Sequence, residues 1–173
     1  TAGFPLTFTS NEATSNVVVG DITDTRCTQG NLGTTYSLIY TATCTVSSDG
    51  ATSVSVAAGS FSDAASNDNS VSNTYTWTYD TTGPTMAITS ATVVSGASTA
   101  TAAVALTFTS NEATSDFAQA DISEVGCSLS GSLGVTSSLI YTDTCTASSD
   151  GTPTVSVAAG AFNDAVAIGS ASR

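Results

Sequence analysis

Polar and apolar residues alternate along several short stretches of the chain. Leu6 and Phe8 are separated by threonine, and the same spacing runs through an aromatic stretch made of Tyr75, Trp77 and Tyr79. A period of two is the signature of a strand with one buried face, and β-branched threonine suits the exposed face. No stretch has a convincing helical period. The pattern therefore predicts an all-β protein built of antiparallel β-sandwiches.

The chain also repeats itself. The sequence Leu-Thr-Phe-Thr-Ser-Asn-Glu-Ala-Thr-Ser begins at Leu6 and again at Leu106, and Val-Ser-Val-Ala-Ala-Gly begins at Val54 and again at Val155. The offset is 100 in the first motif and 101 in the second because one residue is inserted between them. Repetition of this kind indicates two copies of one domain. We expect domain 1 over residues 1–80, domain 2 over residues 81–163 and a C-terminal tail over residues 164–173.

Each copy carries one pair of cysteines at matched positions. Cys27 and Cys44 are 17 residues apart, and Cys127 and Cys145 are 18 apart. The repeat selects one of the three pairings that four cysteines allow and predicts two disulfides within the domains. Metal ligation is disfavoured, because the chain has no His and no Cys-x-x-Cys. Disulfides indicate an oxidising, extracellular location.

Composition then narrows the function. The 173 residues include 14 acidic and 2 basic residues and no His, so the net charge is −12. Two arginines cannot neutralise the phosphates of a nucleic acid or of an anionic membrane surface. No apolar stretch is long enough to span a bilayer, so membrane insertion is not expected. Without His or Lys we expect neither an enzyme nor a small-molecule substrate. About a third of the residues, 60, are Ser or Thr, which leaves O-linked glycans as an option.

These motifs resemble a known family. The quoted repeats, the closing Tyr-Thr-Trp-Thr-Tyr-Asp at 75–80 and the Thr-Gly-Pro at 82–84 are similar to bacterial Ig-like repeats. Such repeats occur in tandem in large surface adhesins. The resemblance implies Ig-like sandwiches in an extracellular structural or adhesive protein.

The resemblance also implies that each domain lacks one edge strand. A complete repeat opens with a strand like residues 85–90 and closes with one like residues 73–79. Domain 1 begins at its second strand, and domain 2 stops before its aromatic last strand. The tail at 166–172 resembles residues 86–92, with four identities at an offset of 80. Chance similarity in a stretch rich in Ala and Ser, and excision from a longer array, are the alternatives.

This deficit suggests a structural subunit of a helical, pilus-like filament that is a homo-oligomer of this chain. The tail of one molecule would donate the missing strand to domain 1 of the next molecule. The expected donor residues are Val166 and Ile168. The expected acceptor residues are Leu6, Phe8, Tyr75, Trp77 and Tyr79.

A second function, a calcium-assisted adhesive spacer from a giant surface adhesin, is the alternative. No cofactor other than calcium is expected. Carboxylate and amide oxygens suit this ion, and the candidate ligands are Asp63, Asn67, Asn69, Asp80 and Glu112. Asp and Asn also serve turns and solubility, and that role explains the same residues without an ion.

Overall fold

The structure is a computed structural model that describes residues 3–14, 16–114 and 116–170. The chain divides into two compact units, unit 1 (Thr1–Thr81) and unit 2 (Thr82–Arg173). The strands of unit 1 are β1 (Phe4–Thr9), β2 (Ile22–Thr25), β3 (Cys27–Gln29), β4 (Gly33–Tyr36), β5 (Ile39–Val46), β6 (Gly50–Val56) and β7 (Tyr75–Tyr79). The strands of unit 2 are β8 (Met86–Thr89), β9 (Ala103–Ser110), β10 (Ile122–Val125), β11 (Cys127–Leu129), β12 (Gly134–Ser137), β13 (Ile140–Ala147) and β14 (Thr154–Val157).

Both units consist of two antiparallel sheets. In unit 1 one sheet has the order β1-β5-β3, with β4 also paired to β5, and the other has the order β2-β6-β7. In unit 2 the order is β11-β13-β9-β8, with β12 on β13, and the second sheet pairs β10 with β14. Two Ig-like sandwiches confirm the predicted all-β fold. No helix among the described residues is long and apolar enough to cross a bilayer.

The alternating sequence places one face of each central strand in the core. In β5 the buried residues are every second one, Tyr40, Ala42, Cys44 and Val46. The core of unit 2 is more aromatic, because Phe117 stacks edge-on against Tyr141 and Phe162 with ring centroids 5.0 and 5.1 Å away. Burial of these side chains is the main driving force for each fold.

The predicted disulfides are present within the units. Cys27 of β3 is bonded to Cys44 of β5, and Cys127 of β11 is bonded to Cys145 of β13. Both cross-links join neighbouring strands of one sheet, because β3 pairs with β5 and β11 pairs with β13.

A buried tyrosine anchors the loop that follows the first long strand in each copy. The Tyr40 hydroxyl donates to the Thr14 carbonyl oxygen at 2.6 Å, and the Tyr141 hydroxyl donates to the Thr114 carbonyl oxygen at 3.0 Å. The repeat therefore preserves individual hydrogen bonds as well as the strand order, and the two units can be compared residue by residue.

Candidate functional site

Unit 1 has a large cleft along the outer edge of β1. Its volume is about 920 Å³. The backbone of residues 5–12 forms one side of it, and residues 67–73 form much of the other side. Apolar side chains that reach the core make its floor, namely Leu6, Phe8, Val17, Val54, Val56 and Phe61.

Unit 2 fills the same position with a strand. There β8 pairs antiparallel with β9, the counterpart of β1, in a register that sets Met86 opposite Ser110 and Ile88 opposite Phe108. Met86 is buried and Ile88 is half-buried. Among the described residues of unit 1, no strand pairs with the outer edge of β1.

The missing strand leaves matched core residues open to solvent. Phe108 and Phe162 of unit 2 are 0% and 1% exposed. Their counterparts in unit 1, Phe8 and Phe61, are only half-buried and line the cleft. The same residue types therefore differ in burial because one copy has the strand and the other lacks it.

The described part of unit 2 lacks the other edge strand, the counterpart of β7. In unit 1, β7 covers β6, and Val54 and Val56 are 3% and 8% exposed. Their counterparts Val155 and Val157 are half-buried, because β14 pairs only with β10 in the described part of unit 2. A smaller cavity of about 420 Å³ lies between β8 and β14. Pro153, in place of Thr52, precedes β14 and offers no amide to an added strand.

The cleft of unit 1 is suited to an extended peptide. An unpaired strand edge presents backbone amides and carbonyls that a further strand can bond, and the apolar floor accepts every second side chain. Pro5 interrupts the run of amide donors near the start of β1, so the usable edge runs from Thr7 to Ser10. This four-residue length matches the pairing of β8 with β9.

Three of the five predicted acceptor residues line the cleft, and two do not. Leu6, Phe8 and Tyr75 are part of its wall. Trp77 and Tyr79 pack instead against the core of unit 1, where the ring of Phe4 meets Trp77 edge-on at 4.9 Å. They share one face of β7 with Tyr75 but lie further along the strand, so they fall outside the lining of the cleft.

The predicted donor tail is folded into unit 2. The Ser170 amide donates to the Phe162 carbonyl at 2.8 Å. The Asp164 carboxylate accepts the amides of Val166 and Ile168 at 2.8 and 2.9 Å. Val166 points to solvent, 58% exposed, from the tip of this loop.

The loop is the counterpart of residues 61–69 in unit 1. At the offset of 101, Ala167 matches Ser66, and both have a positive φ, 64° and 66°. Residues 164–170 therefore form a loop of unit 2 in this structure and not an extended strand, and insertion of Val166 and Ile168 into another molecule stays a prediction without structural support. Residues 171–173 of the predicted tail lie outside the described residues.

Three of the predicted calcium ligands close that loop in unit 1. Asp63 accepts the Asn67 side-chain amide at 2.9 Å and the Asn67 backbone amide at 2.8 Å. Asn69 accepts the Phe61 amide and donates to the Ala57 carbonyl oxygen. Both bonds from Asn67 hold the pKa of the Asp63 carboxyl below its ordinary value, and the bond from the side-chain amide has the larger effect. These contacts are those of turn-forming Asx residues.

Unit 2 differs at the matched carboxylate. Asp164 is 7% exposed, and Ile168 replaces Asn67, so the side-chain amide that caps Asp63 has no counterpart. Within the described residues, Asp164 Oδ2 is buried without a hydrogen-bond partner. A Glu112 carboxylate oxygen lies within 4.8 Å of an Asp164 carboxylate oxygen. Asp80, the remaining predicted ligand, directly follows β7.

The comparison with known families agrees with this geometry. The description "Bacterial Ig-like domain" matches residues 2–79 and again residues 80–172. The chain belongs to the bacterial Ig-like domain family. No curated protein and no solved structure matches it.

Tandem bacterial Ig-like domains support a repeat role of the surface or adhesin type, and the family is typically non-catalytic. The disulfides of these Ig-like units fit extracellular or surface proteins.

Sequence reasoning missed two residues of these Ig-like units. Asp164 follows Phe162 as Asp63 follows Phe61, but burial and the loss of its amide partner are visible only in the fold. Val17 lies in the cleft where the repeat places Phe117 in unit 2. The offset of 100 aligns these two residues, so this signal was present in the sequence.

Proposed function

We propose that the chain is a structural module of an extracellular surface filament or adhesin, and that unit 1 is a strand acceptor. The donor is a first strand of the β8 type from another molecule of the same repeat protein. The observation that supports this role is the cleft beside β1, which lies where unit 2 holds β8.

The register of β8 on β9 transfers directly to the cleft. By the offset of 100, an incoming strand runs antiparallel to β1 opposite Thr7–Ser10. Its first core-facing residue lies opposite Ser10 and its second opposite Phe8. Burial of one Met and one Ile contributes about 3–6 kcal/mol, from which the cost of association is subtracted.

Such contacts are heterologous, because the donating and accepting surfaces differ. A heterologous contact that repeats without closing a ring gives an open helical filament. Donation by residues 164–170 would require the unit 2 loop to open and lose its hydrogen bonds. Donation of β8 itself would require it to leave β9, so the proposed donor is a strand of the β8 type that is not already paired in its own unit.

Binding of a synthetic β8 strand tests the acceptor role. The capped peptide Thr-Met-Ala-Ile-Thr-Ser-Ala-Thr, residues 85–92, is titrated into the full chain and followed by Trp77 fluorescence. Trp77 is the sole tryptophan, and its ring centroid is 5.6 Å from that of the cleft-lining Tyr75. We expect saturable binding with Kd on the order of 0.1–1 mM, the range for about −4 to −5.5 kcal/mol.

The control peptide carries Met86→Asp and Ile88→Asp, which place charges against the apolar floor while preserving the backbone. Binding of the parent peptide alone supports the acceptor role. Equal binding of both peptides, or no binding of the parent peptide at 5 mM (roughly five times the expected upper Kd), contradicts it.

A second candidate function, the calcium-assisted spacer, is favoured by the buried oxygen of Asp164. A carboxylate oxygen buried without a donor is costly unless a cation or a proton compensates it. Glu112 brings a second carboxylate close to it, and hard oxygen donors of this kind suit Ca²⁺. Calcium bound here would hold the loop of unit 2 against the segment that follows β9.

Calcium binding is tested by the thermal stability of unit 2 in 1 mM Ca²⁺ and in EDTA. If Kd is about 10 µM, binding adds about 2.7 kcal/mol to the free energy of unfolding. Asp164→Asn keeps the acceptor for the loop amides but removes the charge, and we expect it to abolish the calcium effect. Asp63→Asn is the matched control and should leave it intact. An identical melting temperature in calcium and EDTA for the unchanged chain contradicts this candidate.

A further inference from the structure

One residue makes the cleft of unit 1 larger than the absence of a strand alone requires. Position 117 of unit 2 is a phenylalanine, 6% exposed, and the matched position 17 of unit 1 is a half-buried valine. The shared Asn-Glu-Ala-Thr-Ser and Asp-Ile motifs align the two positions, and the five residues between the motifs differ between the copies. Of residues 16–20, Val17 alone lines the cleft, so this substitution is the one that alters its floor.

The ring of Phe117 completes an aromatic cluster in unit 2. Its centroid lies 5.0 Å from that of Tyr141, 5.1 Å from that of Phe162 and 5.9 Å from that of Phe108. The three matched residues of unit 1 all line the cleft together with Val17, namely Tyr40, Phe61 and Phe8. Unit 1 thus has the three surrounding aromatic side chains of this cluster but lacks the central ring.

Protein interiors are packed as densely as organic crystals, and a void loses the contacts of the atoms around it. On unit 1, a strand with the side chains of β8 would occupy the place of β8 but would leave empty the space that corresponds to the Phe117 ring. A strand with a larger side chain would fill the place of β8 and that space as well.

We infer that the strand accepted by unit 1 carries an aromatic residue at the position of Met86. The inference rests on the proposed strand-acceptor function and adds the residue that determines its specificity. Met86 is the right position because it is buried in the same cluster as Phe117, whereas Ile88 is only partly buried at its margin. In the transferred register this side chain enters the cleft opposite Ser10.

Two peptides and two forms of the full chain test the inference. The peptides are residues 85–92 with the natural sequence and the same peptide with Met86→Phe. The chains are the unchanged protein and Val17→Phe, which restores the ring that unit 2 has at this position. Dissociation constants for all four combinations form a double-mutant cycle.

For the unchanged chain we expect the Met86→Phe peptide to bind about fivefold to tenfold more tightly than the natural peptide. For Val17→Phe we expect that preference to vanish or reverse, because the ring supplied by the chain occupies the space that the peptide ring needs. Overpacking of this kind is itself unfavourable.

The outcomes separate this inference from the proposed function. Equal affinity of the two peptides for the unchanged chain, or a preference that persists in Val17→Phe, overturns the aromatic specificity and leaves the acceptor role in place. Failure of both peptides to bind overturns the acceptor role, and the specificity falls with it. If Val17→Phe does not fold, Val17→Leu replaces it, and a preference reduced by half or more is then the supporting result.

Discussion

At the scale of single residues, Asn16 and Asp116 show how one charge changes otherwise matched copies. Asn16 of unit 1 accepts the Thr14 hydroxyl and the Ser62 amide. Asp116 of unit 2 accepts the backbone amide of Asn163 at 2.9 Å and its side-chain amide at 2.7 Å. Both bonds hold the pKa of the Asp116 carboxyl below its ordinary value, and the bond from the Asn163 backbone amide has the larger effect.

This lowered pKa predicts an acid-sensitive contact in unit 2. Because the folded pKa lies below the unfolded value of about 3.9, the stabilisation is complete above that value and is lost as the pH falls through the folded pKa. We expect Asp116→Asn to lower the melting temperature of unit 2 by about 2 °C at pH 7, since the site is exposed and screened. The difference should shrink as the pH falls below about 3.9, because the carboxylate begins to be protonated in the unfolded chain.

Hydrogen exchange of unit 2 amides from pH 7 to pH 3 measures this effect. Asn16→Asp in unit 1 is the converse variant and should introduce the same acid sensitivity there. A constant difference between Asp116→Asn and the unchanged chain over the whole range contradicts the assignment.

Some residue contacts could be read from the sequence and others could not. The matched cysteines at an offset of 100 or 101 specified both disulfides. Asp164 could not be distinguished from Asp63, because their difference arises from burial and from Ile168 taking the place of Asn67 in a folded loop. The substitution of Val17 for Phe117 is visible when the two repeats are aligned, but its consequence depends on three aromatic neighbours that are distant in the sequence.

At the scale of strands, the disulfides hold the sheet that carries β1. Cys27 begins β3 and Cys44 lies in β5, which pairs on its other side with β1. The cross-link therefore holds β5, the strand that pairs with β1 and so supports its open edge.

Loss of this disulfide should destabilise unit 1 selectively. Closing a loop of 17 residues contributes about 3 kcal/mol through the entropy of the unfolded chain. We expect the double variant Cys27→Ser, Cys44→Ser to lower the free energy of unfolding of unit 1 by about that amount. Urea unfolding followed by Trp77 fluorescence reports this unit alone.

The matched double variant, Cys127→Ser with Cys145→Ser, is the control and should leave the Trp77 transition in place. A Trp77 transition that is unchanged when the unit 1 cysteines are replaced would show that the cross-link does not stabilise this sheet.

The sequence predicted the strands better than it predicted the tail. Alternation over Leu6 and Phe8 and over residues 75–79 specified strands because burial of one face is a local property of the pattern. Residues 166–172 match β8 at an offset of 80, but residues 162–170 also match the loop at 61–69 at an offset of 101. These residues adopt the loop conformation because the Asp164 carboxylate and the Phe162 carbonyl accept backbone amides of the loop.

At the scale of the whole molecule, the two units are copies whose described residues lack complementary strands. Unit 1 has the last strand, β7, and an empty place for the first. Unit 2 has the first strand, β8, and an open edge where the last would lie. The opposite exposure of matched residues, Phe8 against Phe108 and Val54 against Val155, follows from that difference.

The composition fits a module whose contacts are made by backbone pairing. A net charge of −12 with two basic residues makes like molecules repel at low ionic strength. The β8 peptide carries no charged side chain, so the proposed capture would need no ion pair. The Ser and Thr that fill a third of the chain cover the outward faces of the strands, as the alternating pattern indicates.

The measurement that tests the acceptor role most directly is residue-resolved hydrogen exchange of the full chain with and without saturating β8 peptide. Strand capture predicts slower exchange, by about tenfold or more, at those amides of Thr7–Ser10 that β5 does not already bond. Amides of β14 serve as the internal reference and should not change. Unchanged exchange along Thr7–Ser10 at saturating peptide would contradict the strand-acceptor role of unit 1.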